Sequence, residues 1–466
     1  MDKTKPIVIA KFGGSSLSSV ERMLSCARLV LERPHVRLAI VSATGGATDR
    51  LLCIADHAAK GEWSQSEELL GELYSIHFAM GESLASCSNG TLELEEIRKI
   101  CEEANRLAHG IYLLRDASPK VLDQLLSVGE RLSSLLFKKA LERVGVSCDL
   151  CDMREILCTT EEYGKAEPLV DMLSFRASKL LKPHLLEGKL IVSQGFIGAT
   201  LDGHTTTLGR GGSDYTASLL GEALGASHIE IWTDVSGISS ADPRIVSDAQ
   251  TIEEISFSEA AELATFGAKV LHPATLWPAI RNDIPVYIGN SLDPGAKGTW
   301  VRKEVKEYPD IRAIALRRRQ TLLTVHSLSM FGRPGFLSKV FAALAKHNIS
   351  VDLVTTSEVS VSLTIDGTQD WPQNVVEELQ KFSEVKIERN LALLALVGNR
   401  ATSTPGIARS IFKAVEENVR LICHGASSHN FCFLVDDSVS VGAICRLHEE
   451  FIGKEKTAEE MNLCRN

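Results

Sequence analysis

Two glycine-containing loops carry residue types that could perform chemistry on an anionic substrate. Residues 11–16 read Lys-Phe-Gly-Gly-Ser-Ser after an apolar run, and residues 205–214 read Thr-Thr-Thr-Leu-Gly-Arg-Gly-Gly-Ser-Asp before an amphipathic helix. Glycines let main-chain amides approach an anion closely, and a helix N-terminus adds partial positive charge. Lys11 and Arg210 add full charges. This combination suits phosphoryl transfer, which depends on positioning and charge neutralisation more than on covalent catalysis.

Three further segments place hydroxyls and charges after predicted strands or beside glycines. Residues 42–48 read Ser-Ala-Thr-Gly-Gly-Ala-Thr, residues 232–244 run from Trp-Thr-Asp-Val to Asp-Pro-Arg, and residues 266–273 contain a lysine just beyond a glycine. Glu130 lies on the flank of a leucine-rich helical face. A structural or solvated role is the alternative for each segment. For Glu130 the alternatives are solvent, a pair with Arg131, or the ammonium group of a ligand.

Several familiar classes of protein are excluded by the sequence. It has no GxxxxGK[ST] motif of P-loop enzymes, no HRD or DFG of protein kinases, and no GxGxxG after a strand. The formal charge of −10 argues against a general nucleic-acid binder, which needs a basic surface. No apolar run approaches the roughly 20 residues of a membrane span. A secretory signal is not expected either, because the first apolar run is too short.

Cysteine usage indicates a reducing compartment. The 11 cysteines are odd in number and scattered along the chain. Only Cys148 and Cys151 form a CxxC pair, and neither a second pair nor a nearby histidine completes a zinc site. We interpret them as two reduced cysteines in or beside a strand, and we expect a cytoplasmic location.

The elements that must position the loops fall into an N-terminal α/β region and a linker. Residues 1–300 alternate apolar runs with amphipathic helices, which predicts a catalytic domain on a largely parallel sheet. Ligands bind such sheets at the carboxyl ends of the strands. Residues 60–145 are predicted to form a helical insertion, and Ser18 with Glu21 predicts the start of the first helix. Residues 291–313 are predicted to form the linker.

The C-terminal region contains two copies of a βαββ succession. The first copy spans residues 310–390, to which residues 436–466 could contribute, and the second spans residues 391–435. Neither copy shows a cluster of nucleophile, base and oxyanion donors. The duplication therefore predicts ligand-binding or oligomerising modules.

Ordered motifs along the chain resemble those of the aspartokinases, which belong to the amino-acid kinase family. The matching segments are KFGGSS at 11–16, TTLGRGGSDYTA at 206–217, WTDV at 232–235, ADPR at 241–244 and FGAKVLHP at 266–273. SVDLVTTSEVSVSLT at 350–364 and GASSHNFCFLV at 425–435 resemble the paired ACT domains of the same enzymes. The chain is most similar to the monofunctional, lysine-sensitive type. The resemblance implies an amino-acid kinase fold followed by two ACT-type modules.

The resemblance implies that ATP phosphorylates the side-chain carboxylate of L-aspartate to 4-phospho-L-aspartate, the first step towards lysine, threonine and methionine. Lys11 and the amides of Gly13 and Gly14 would stabilise the transferring phosphoryl group, and Asp214 would organise Lys11 and the phosphate–metal cluster. Residues expected to bind aspartate are Ser42, Thr48, Glu130, Arg210, Gly211, Gly212 and Ser213. Residues expected to bind the nucleotide are Lys11, Gly13, Gly14, Ser15, Thr233, Asp234, Ser239, Arg244, Lys269 and Val270.

The expected cofactors are ATP and Mg²⁺, with the ion bound through the nucleotide phosphates and requiring few protein ligands. One departure from the family pattern concerns Ser239, which stands where a tyrosine often lies near the nucleotide. A carboxylate acceptor is already ionised at neutral pH, so the reaction needs no general base.

The ACT resemblance implies regulation by L-lysine and a homodimer or a dimer of dimers formed through these modules. The matching effector positions are Met330, Ser350, Val351, Asp352, Thr356, Ser357 and Glu358. Asp352 and Glu358 would neutralise the two ammonium groups of lysine. Threonine is the alternative effector. The alternative functions are another amino-acid kinase or a catalytically silent amino-acid sensor.

Overall fold

The computed structural model describes residues 6–85, 91–267, 273–332, 334–366 and 371–453. They divide into two compact units. The first unit comprises the described residues of Met1–Ile238, Glu253–Phe257 and Val270–Val305, and the second comprises those of Ser239–Ile252, Ser258–Lys269 and Lys306–Asn466.

The first unit is built on an eight-stranded, largely parallel sheet. The strands of the first unit are β1 (Val8–Phe12), β2 (Val36–Val41), β3 (Cys148–Cys151), β4 (Leu190–Gln194), β5 (Ile197–Ala199), β6 (Thr205–Thr207), β7 (His228–Thr233), β8 (Glu254–Ser256), β9 (Val286–Asn290) and β10 (Thr299–Arg302). The order in the sheet is β3-β4-β2-β1-β7-β9-β10-β8, and β5 pairs with β6 separately. Only the pair β9–β10 is antiparallel among the neighbours of the large sheet that the structure describes. This confirms the predicted parallel sheet.

The helices that precede residue 313 in the chain account for the amphipathic segments of the sequence. They are α1 (Val20–Leu31), α2 (Ala47–Lys60), α3 (Trp63–Ala85), α4 (Thr91–Leu114), α5 (Pro119–Arg143), α6 (Met153–Ile156), α7 (Val170–Arg176), α8 (Lys182–Leu186), α9 (Gly212–Leu224), α10 (Phe257–Thr265) and α11 (Pro273–Arg281). All but the first residue of α10 belong to the second unit. The four consecutive helices α2–α5 occupy the segment between β2 and β3.

The core of the first unit lies where these helices cover the central strands. Every residue of β1 is buried, because both faces of the strand are covered, which explains its apolar run without alternation. The long helix α5 contributes buried residues along most of its length, and Pro119 begins it at a position where the missing amide hydrogen costs nothing.

Two sequence-based expectations about the first unit were wrong in detail. Ser19 rather than Ser18 caps α1, because its side chain accepts a hydrogen bond from the Arg22 amide, while the Ser18 hydroxyl donates to the Ser15 carbonyl. The segment predicted as a linker contains β10, which pairs with β9 and β8. Its residues alternate between buried and half-buried, so Thr299 and Val301 anchor the strand in the sheet.

The second unit contains a six-stranded antiparallel sheet with the order β12-β13-β11-β14-β16-β15. Its strands are β11 (Ala313–His326), β12 (Val354–Thr356), β13 (Ser360–Asp366), β14 (Glu384–Val397), β15 (Leu421–His424) and β16 (Asn430–Asp436). Its further helices are α12 (Phe336–Lys346), α13 (Gln373–Gln380), α14 (Ile407–Ala414) and α15 (Ser440–His448). The two βαββ successions share this one sheet, because β11 and β14 pair with each other at its centre.

Separate apolar clusters hold the second unit together. One joins β11 and β13 to α12 and α13, and another joins β14 and β16 to α14 and α15. A third cluster lies between strands and includes Leu322, Leu353 and Leu434 together with Phe266. Across the described part of the chain, no helix combines the length and apolar character needed to cross a membrane.

Candidate active site

The loops singled out by their composition meet at one edge of the parallel sheet. Strand β1 pairs in parallel with β2 on one side and β7 on the other. The loops that follow these three strands therefore emerge at the same edge. The amide of Phe196, which follows β4, donates a hydrogen bond to the Thr216 hydroxyl of α9 at 3.1 Å. The start of α9 therefore lies beside these loops.

A cavity of about 640 Å³ opens at this edge, within the first unit. Eleven of its lining residues were predicted as site residues from the sequence: Lys11, Gly14, Ser15, Ser42, Thr48, Glu130, Arg210, Gly211, Gly212, Ser213 and Asp214. Segments separated by more than 160 residues in the chain thus line one space. Gly13 does not line it, because its amide continues the strand pairing and donates to the Trp232 carbonyl at 3.0 Å.

Lys11 and Asp214 form the charged centre of the cavity. The Lys11 Nζ atom lies 2.6 Å from Asp214 Oδ1, and the two side chains are only 11% and 14% exposed. Lys11 comes from the end of β1 and Asp214 from the first turn of α9, where a carboxylate also interacts favourably with the helix dipole. The carboxylate fixes the ammonium group at the helix N-terminus.

Two glycines are required by the local backbone. A Cβ atom on Gly14 would lie 2.8 Å from the Ala43 carbonyl oxygen, so only glycine lets the loops after β1 and β2 approach this closely. Gly211 caps α9 with a φ of 73°, a left-handed conformation that glycine adopts without strain. Both positions shape the backbone around the Lys11–Asp214 pair.

Glu130 is buried at the cavity wall, on α5. It is 3% exposed, and its Oε1 accepts a hydrogen bond from the Ala43 amide at 3.1 Å. Its Oε2 is buried and has no hydrogen-bond partner among the residues that the structure describes. Burial raises the pKa of Glu130 to about 8, although the Ala43 hydrogen bond acts in the opposite direction. The pairing with Arg131 that the sequence left open does not occur, because Arg131 binds Glu103.

Arg210 brings an available guanidinium group to the cavity. It is exposed, and no hydrogen bond or ion pair joins it to another residue within the described ranges. An unpaired guanidinium can bind a carboxylate through two parallel hydrogen bonds. Ser42, Thr48 and Ser213 bring hydroxyl groups to the same space.

Sequence analysis did not assign several polar residues of the cavity region, among them the lining residues Asp49 and Thr207. Asp123 and Thr44 line the cavity, and His77 is hydrogen-bonded to Thr44. Asp123 accepts hydrogen bonds from the Gly164 amide at 2.9 Å and from the amide and hydroxyl of Thr207, both at 2.8 Å. A signal existed in the sequence, since Asp123 precedes Glu130 by seven residues and two helical turns place them on one face.

The predicted nucleotide residues divide between the two units. Thr233 and Asp234 lie at the end of β7, where the Thr233 hydroxyl donates to Asp234 Oδ1 at 3.1 Å; neither lines the described cavity. Ser239 and Arg244 belong to the second unit. There Ser239 bridges to Thr251, and Arg244 pairs with Asp242 at 2.6 Å. Lys269 and Val270 lie outside the described residues.

The predicted effector residues lie in the second unit, around β12 and the turn before α12. Asp352 pairs with Arg317 at 3.2 Å, and its amide donates to the Thr364 carbonyl at 2.8 Å. Ser357 bonds to Ser360 in the turn that carries the exposed Glu358. The remaining predicted residues are the exposed Ser350 and Thr356 and the partly buried Met330 and Val351.

The two cysteines of the CxxC pair are thiols with raised pKa values. Cys148 and Cys151 are free thiols in β3, and burial raises the pKa of Cys148 to about 12 and that of Cys151 to about 11. Reactive thiols have lowered pKa values instead. Within the described ranges, no group of three or more His, Cys, Asp or Glu side chains could hold a metal ion.

Comparisons with known proteins agree with this architecture. Residues 6–290 match the model of the amino acid kinase family, and residues 323–370 and 394–451 match an ACT domain. The lysine-sensitive aspartokinase 3 of Escherichia coli is 47% identical over 450 residues, which are 95% of this chain and 98% of that protein. The chain belongs to the aspartokinases of the amino acid kinase family. Aspartokinase 1 of Arabidopsis thaliana is 36% identical over 95% of this chain and 80% of its own length.

Solved structures of aspartokinases share the fold. The crystal structure of E. coli aspartokinase III in complex with aspartate and ADP (R-state) has a TM-score of 0.84 at 46% identity, covering 96% of this chain and all of that one. The same enzyme in complex with lysine and aspartate (T-state) has a TM-score of 0.83 at 46% identity, covering 96% and 99% of the two chains. The predicted fold, an amino-acid kinase sheet followed by ACT-type modules, is confirmed.

Proposed function

We propose that this chain transfers the γ-phosphoryl group of ATP to the side-chain carboxylate of L-aspartate. The observation that carries the proposal is the largely buried ion pair of Lys11 and Asp214 in a cavity that is also lined by the buried Glu130 and by Arg210, which pairs with no residue of the described ranges. The aspartokinase of E. coli, which is similar over nearly its whole length, has been solved with aspartate and ADP bound. Membership of the aspartokinases supports the same reaction here.

The reaction requires two anions to approach each other, and the cavity supplies positive charge for that purpose. A carboxylate oxygen of aspartate attacks the γ-phosphorus, the bond from phosphorus to the bridging oxygen breaks, and its electron pair remains on ADP. No proton is transferred, because an aspartate side chain with a pKa of about 3.9 is already ionised. Lys11 neutralises charge on the transferring group, and the Gly14 amide lies on the same loop.

The substrate aspartate fits the remaining charges of the cavity. Among the residues that the structure describes, neither the guanidinium of Arg210 nor Oε2 of Glu130 has a partner, so the first can bind a carboxylate of aspartate and the second its ammonium group. The hydroxyl groups of Ser42, Thr48 and Ser213 provide further hydrogen bonds. This arrangement distinguishes an amino acid from a simple dicarboxylic acid.

The proposed cofactors are ATP and Mg²⁺. Mg²⁺ neutralises phosphate charge when bound, and it commonly needs only one or two protein carboxylates because it keeps several waters. Asp214 fits this donor set as a carboxylate beside the phosphate-binding lysine, and the rest of the ligands would come from the phosphates. Thr233, Asp234, Ser239, Arg244, Lys269 and Val270 remain the proposed nucleotide residues, on the resemblance alone.

We further propose regulation by L-lysine through the C-terminal modules. The catalytic domain is assigned to residues 1–300, the first module to residues 310–390 with a contribution from residues 436–466, and the second to residues 391–435. The ACT matches at residues 323–370 and 394–451 and the lysine-bound T-state structure of the E. coli relative support regulation through these modules. Asp352 and Glu358 provide carboxylates for the ammonium groups of lysine.

A homodimer, alone or as a dimer of dimers, is proposed because the first module exposes large apolar side chains. Leu328, Phe331 and Phe341 are 77%, 65% and 38% exposed around α12. A second copy of the chain would cover such a patch. Analytical ultracentrifugation showing only monomer at micromolar concentration would contradict it. A cytoplasmic location is also proposed, since the cysteines of the described chain are free thiols.

The proposed reaction is tested by measuring ADP release from the purified chain with Mg²⁺-ATP and L-aspartate. L-glutamate and carbamate serve as alternative acceptors, and a reaction without acceptor gives the background. We expect ADP release that depends on aspartate. We expect Lys11→Ala to lower turnover by about 100-fold or more, because a positioned charge at the transferring group is lost.

Lys60→Ala is the matched control for the loss of a lysine. Lys60 is exposed at the end of α2 and pairs with Asp56, so its removal should leave turnover unchanged. Near-normal turnover of a folded Lys11→Ala variant would contradict the role of Lys11. Release of ADP with glutamate or carbamate but not with aspartate would support the other amino-acid kinases. An inactive wild-type chain that still binds lysine would support the silent sensor.

A further inference from the structure

The histidine His77 is buried on α3 with both ring nitrogens hydrogen-bonded. It is 1% exposed, and its Nδ1 lies 2.7 Å from the Leu73 carbonyl oxygen one turn earlier in the helix. Its Nε2 lies 2.9 Å from the Thr44 hydroxyl, 33 residues away in the chain. Thr44 lines the cavity of the candidate active site, whereas His77 does not. The ring therefore links α3 to the loop of residues 42–48.

The hydrogen-bond partners determine the direction of each bond. A carbonyl oxygen only accepts, so the Leu73 oxygen requires the hydrogen to be on Nδ1 of His77. The Nε2 atom of a neutral imidazole is then an acceptor, and the Thr44 hydroxyl must donate to it. Burial lowers the pKa of His77, which keeps the ring neutral at pH 7. The hydroxyl proton of Thr44 is thereby directed towards His77.

This arrangement fixes what Thr44 can offer to a ligand. Because its proton is used by His77, its oxygen has only lone pairs left for the cavity, and it can accept a hydrogen bond but not donate one. The neighbouring Ala43 amide donates to Glu130 Oε1, and Glu130 Oε2 is buried without a hydrogen-bond partner among the described residues, so the ionised side chain offers a second acceptor. Two helices thus fix adjacent residues of one loop, α5 through Glu130 and α3 through His77.

We propose that His77 is a positioning residue that orients Thr44 as a hydrogen-bond acceptor for the ammonium group of the amino-acid substrate. The proposal rests on the proposed function, because it takes the substrate to be aspartate. A cation with three N–H donors matches acceptors on Thr44 and Glu130, and a carboxylate does not. The alternative is that His77 only fills space in the helical layer. That role would not distinguish substrates that differ in their ammonium group.

The test compares aspartate with succinate, which has the same two carboxylates but no ammonium group. Binding of each is measured by calorimetry, and steady-state kinetics give KM and kcat for aspartate. We expect His77→Leu to weaken aspartate binding and raise its KM by about tenfold or more, since the Thr44 hydroxyl is no longer held as an acceptor for the charged ammonium group. Succinate binding, the KM for ATP and kcat should change by less than about threefold, because neither ATP nor succinate has this ammonium group.

Four further variants keep the test informative if His77→Leu folds poorly. Thr44→Val should reproduce the effect on aspartate, and the double variant should be no worse than either single one, since both remove the same interaction. His77→Gln should restore aspartate binding, because its side-chain oxygen can accept the Thr44 proton. Met80→Leu, a buried and nearly volume-conserving change one turn later on α3, should leave aspartate binding unchanged.

Equal aspartate binding by wild type and a folded His77→Leu variant would overturn the proposal. An equal loss of aspartate and succinate binding would overturn it as well, because the loop would then have been disordered as a whole. The proposed function is judged separately. A wild-type chain that binds aspartate but does not phosphorylate it would contradict the reaction and leave the role of His77 supported by the binding data.

Discussion

Glu130 is the residue whose charge state matters most for the binding of an amino acid in this cavity. Its pKa is raised from 4.5 to about 8 because burial disfavours the charged carboxylate, and one amide hydrogen bond does not compensate. In the protein without substrate the side chain therefore carries a proton at pH 7. An ammonium group that binds there requires the carboxylate, so binding must release this proton.

The KM for aspartate should consequently depend on pH. Because the binding-competent carboxylate increases as the pH rises towards the pKa of Glu130, the KM should fall by up to about tenfold per pH unit below pH 8 and level off above it. Initial rates between pH 6.5 and 8.5 at saturating ATP measure this. Glu130→Gln should raise the KM and abolish the dependence. A wild-type KM that is constant over this range would contradict the assignment, and the KM for ATP provides the control.

Among the elements, α5 organises the cavity from one side. Asp123 and Glu130 lie two turns apart on it, and both line the cavity. Asp123 is 1% exposed, and its three accepted hydrogen bonds come from Gly164 and Thr207. Thr207 ends β6, and the loop after it carries Arg210. The helix therefore holds the loop from which the guanidinium group reaches the cavity.

Asp123→Ala should lower the free energy of unfolding by about 3 kcal/mol, because it leaves buried amide and hydroxyl donors without acceptors. The KM for aspartate should also rise, since the Arg210 loop loses its anchor. Denaturant titration followed by circular dichroism and steady-state kinetics measure the two effects. Asp123→Asn is the matched control. It should lower the free energy of unfolding by less than about 1 kcal/mol, because its side-chain oxygen still accepts the hydrogen bonds from both amides. Equal stability of Asp123→Ala and wild type would refute the anchoring role.

The elements also show which parts of the site were predictable from sequence. The loops of Lys11 and Asp214 could be found because glycines, cations and helix starts are local signals, and a parallel sheet brings strand ends together. His77 could not be assigned, because a histidine between apolar helical residues has no local feature that indicates Thr44 as its partner. The start of β14 was not predictable either: it begins at Glu384, before the second copy predicted at residues 391–435, because its alternating first residues give a weaker signal than the apolar run that follows.

At the scale of the whole molecule, regulation requires that lysine binding in one unit is energetically coupled to substrate binding in the other. The first unit holds the proposed substrate cavity and the second holds the proposed lysine residues. Inhibition then corresponds to a coupling of about 1–3 kcal/mol between lysine binding and the active arrangement of the cavity. Because such coupling is reciprocal, substrates that favour the active arrangement should weaken lysine binding to the same degree.

Asp352 is the residue at which the lysine response should be lost. Its carboxylate already pairs with Arg317 at 3.2 Å, so an ammonium group of lysine must share or take over this carboxylate. We expect Asp352→Asn to raise the lysine concentration for half-inhibition by about tenfold or more while activity without lysine stays within twofold of wild type. Asp437→Asn is the matched control, since it removes a similar ion pair with Arg318 at 2.9 Å outside the predicted effector residues. Initial rates at rising concentrations of lysine, and separately of threonine, measure the response. Superimposable lysine curves for wild type and Asp352→Asn would contradict this effector site, and inhibition of the wild type by threonine alone would identify a different effector.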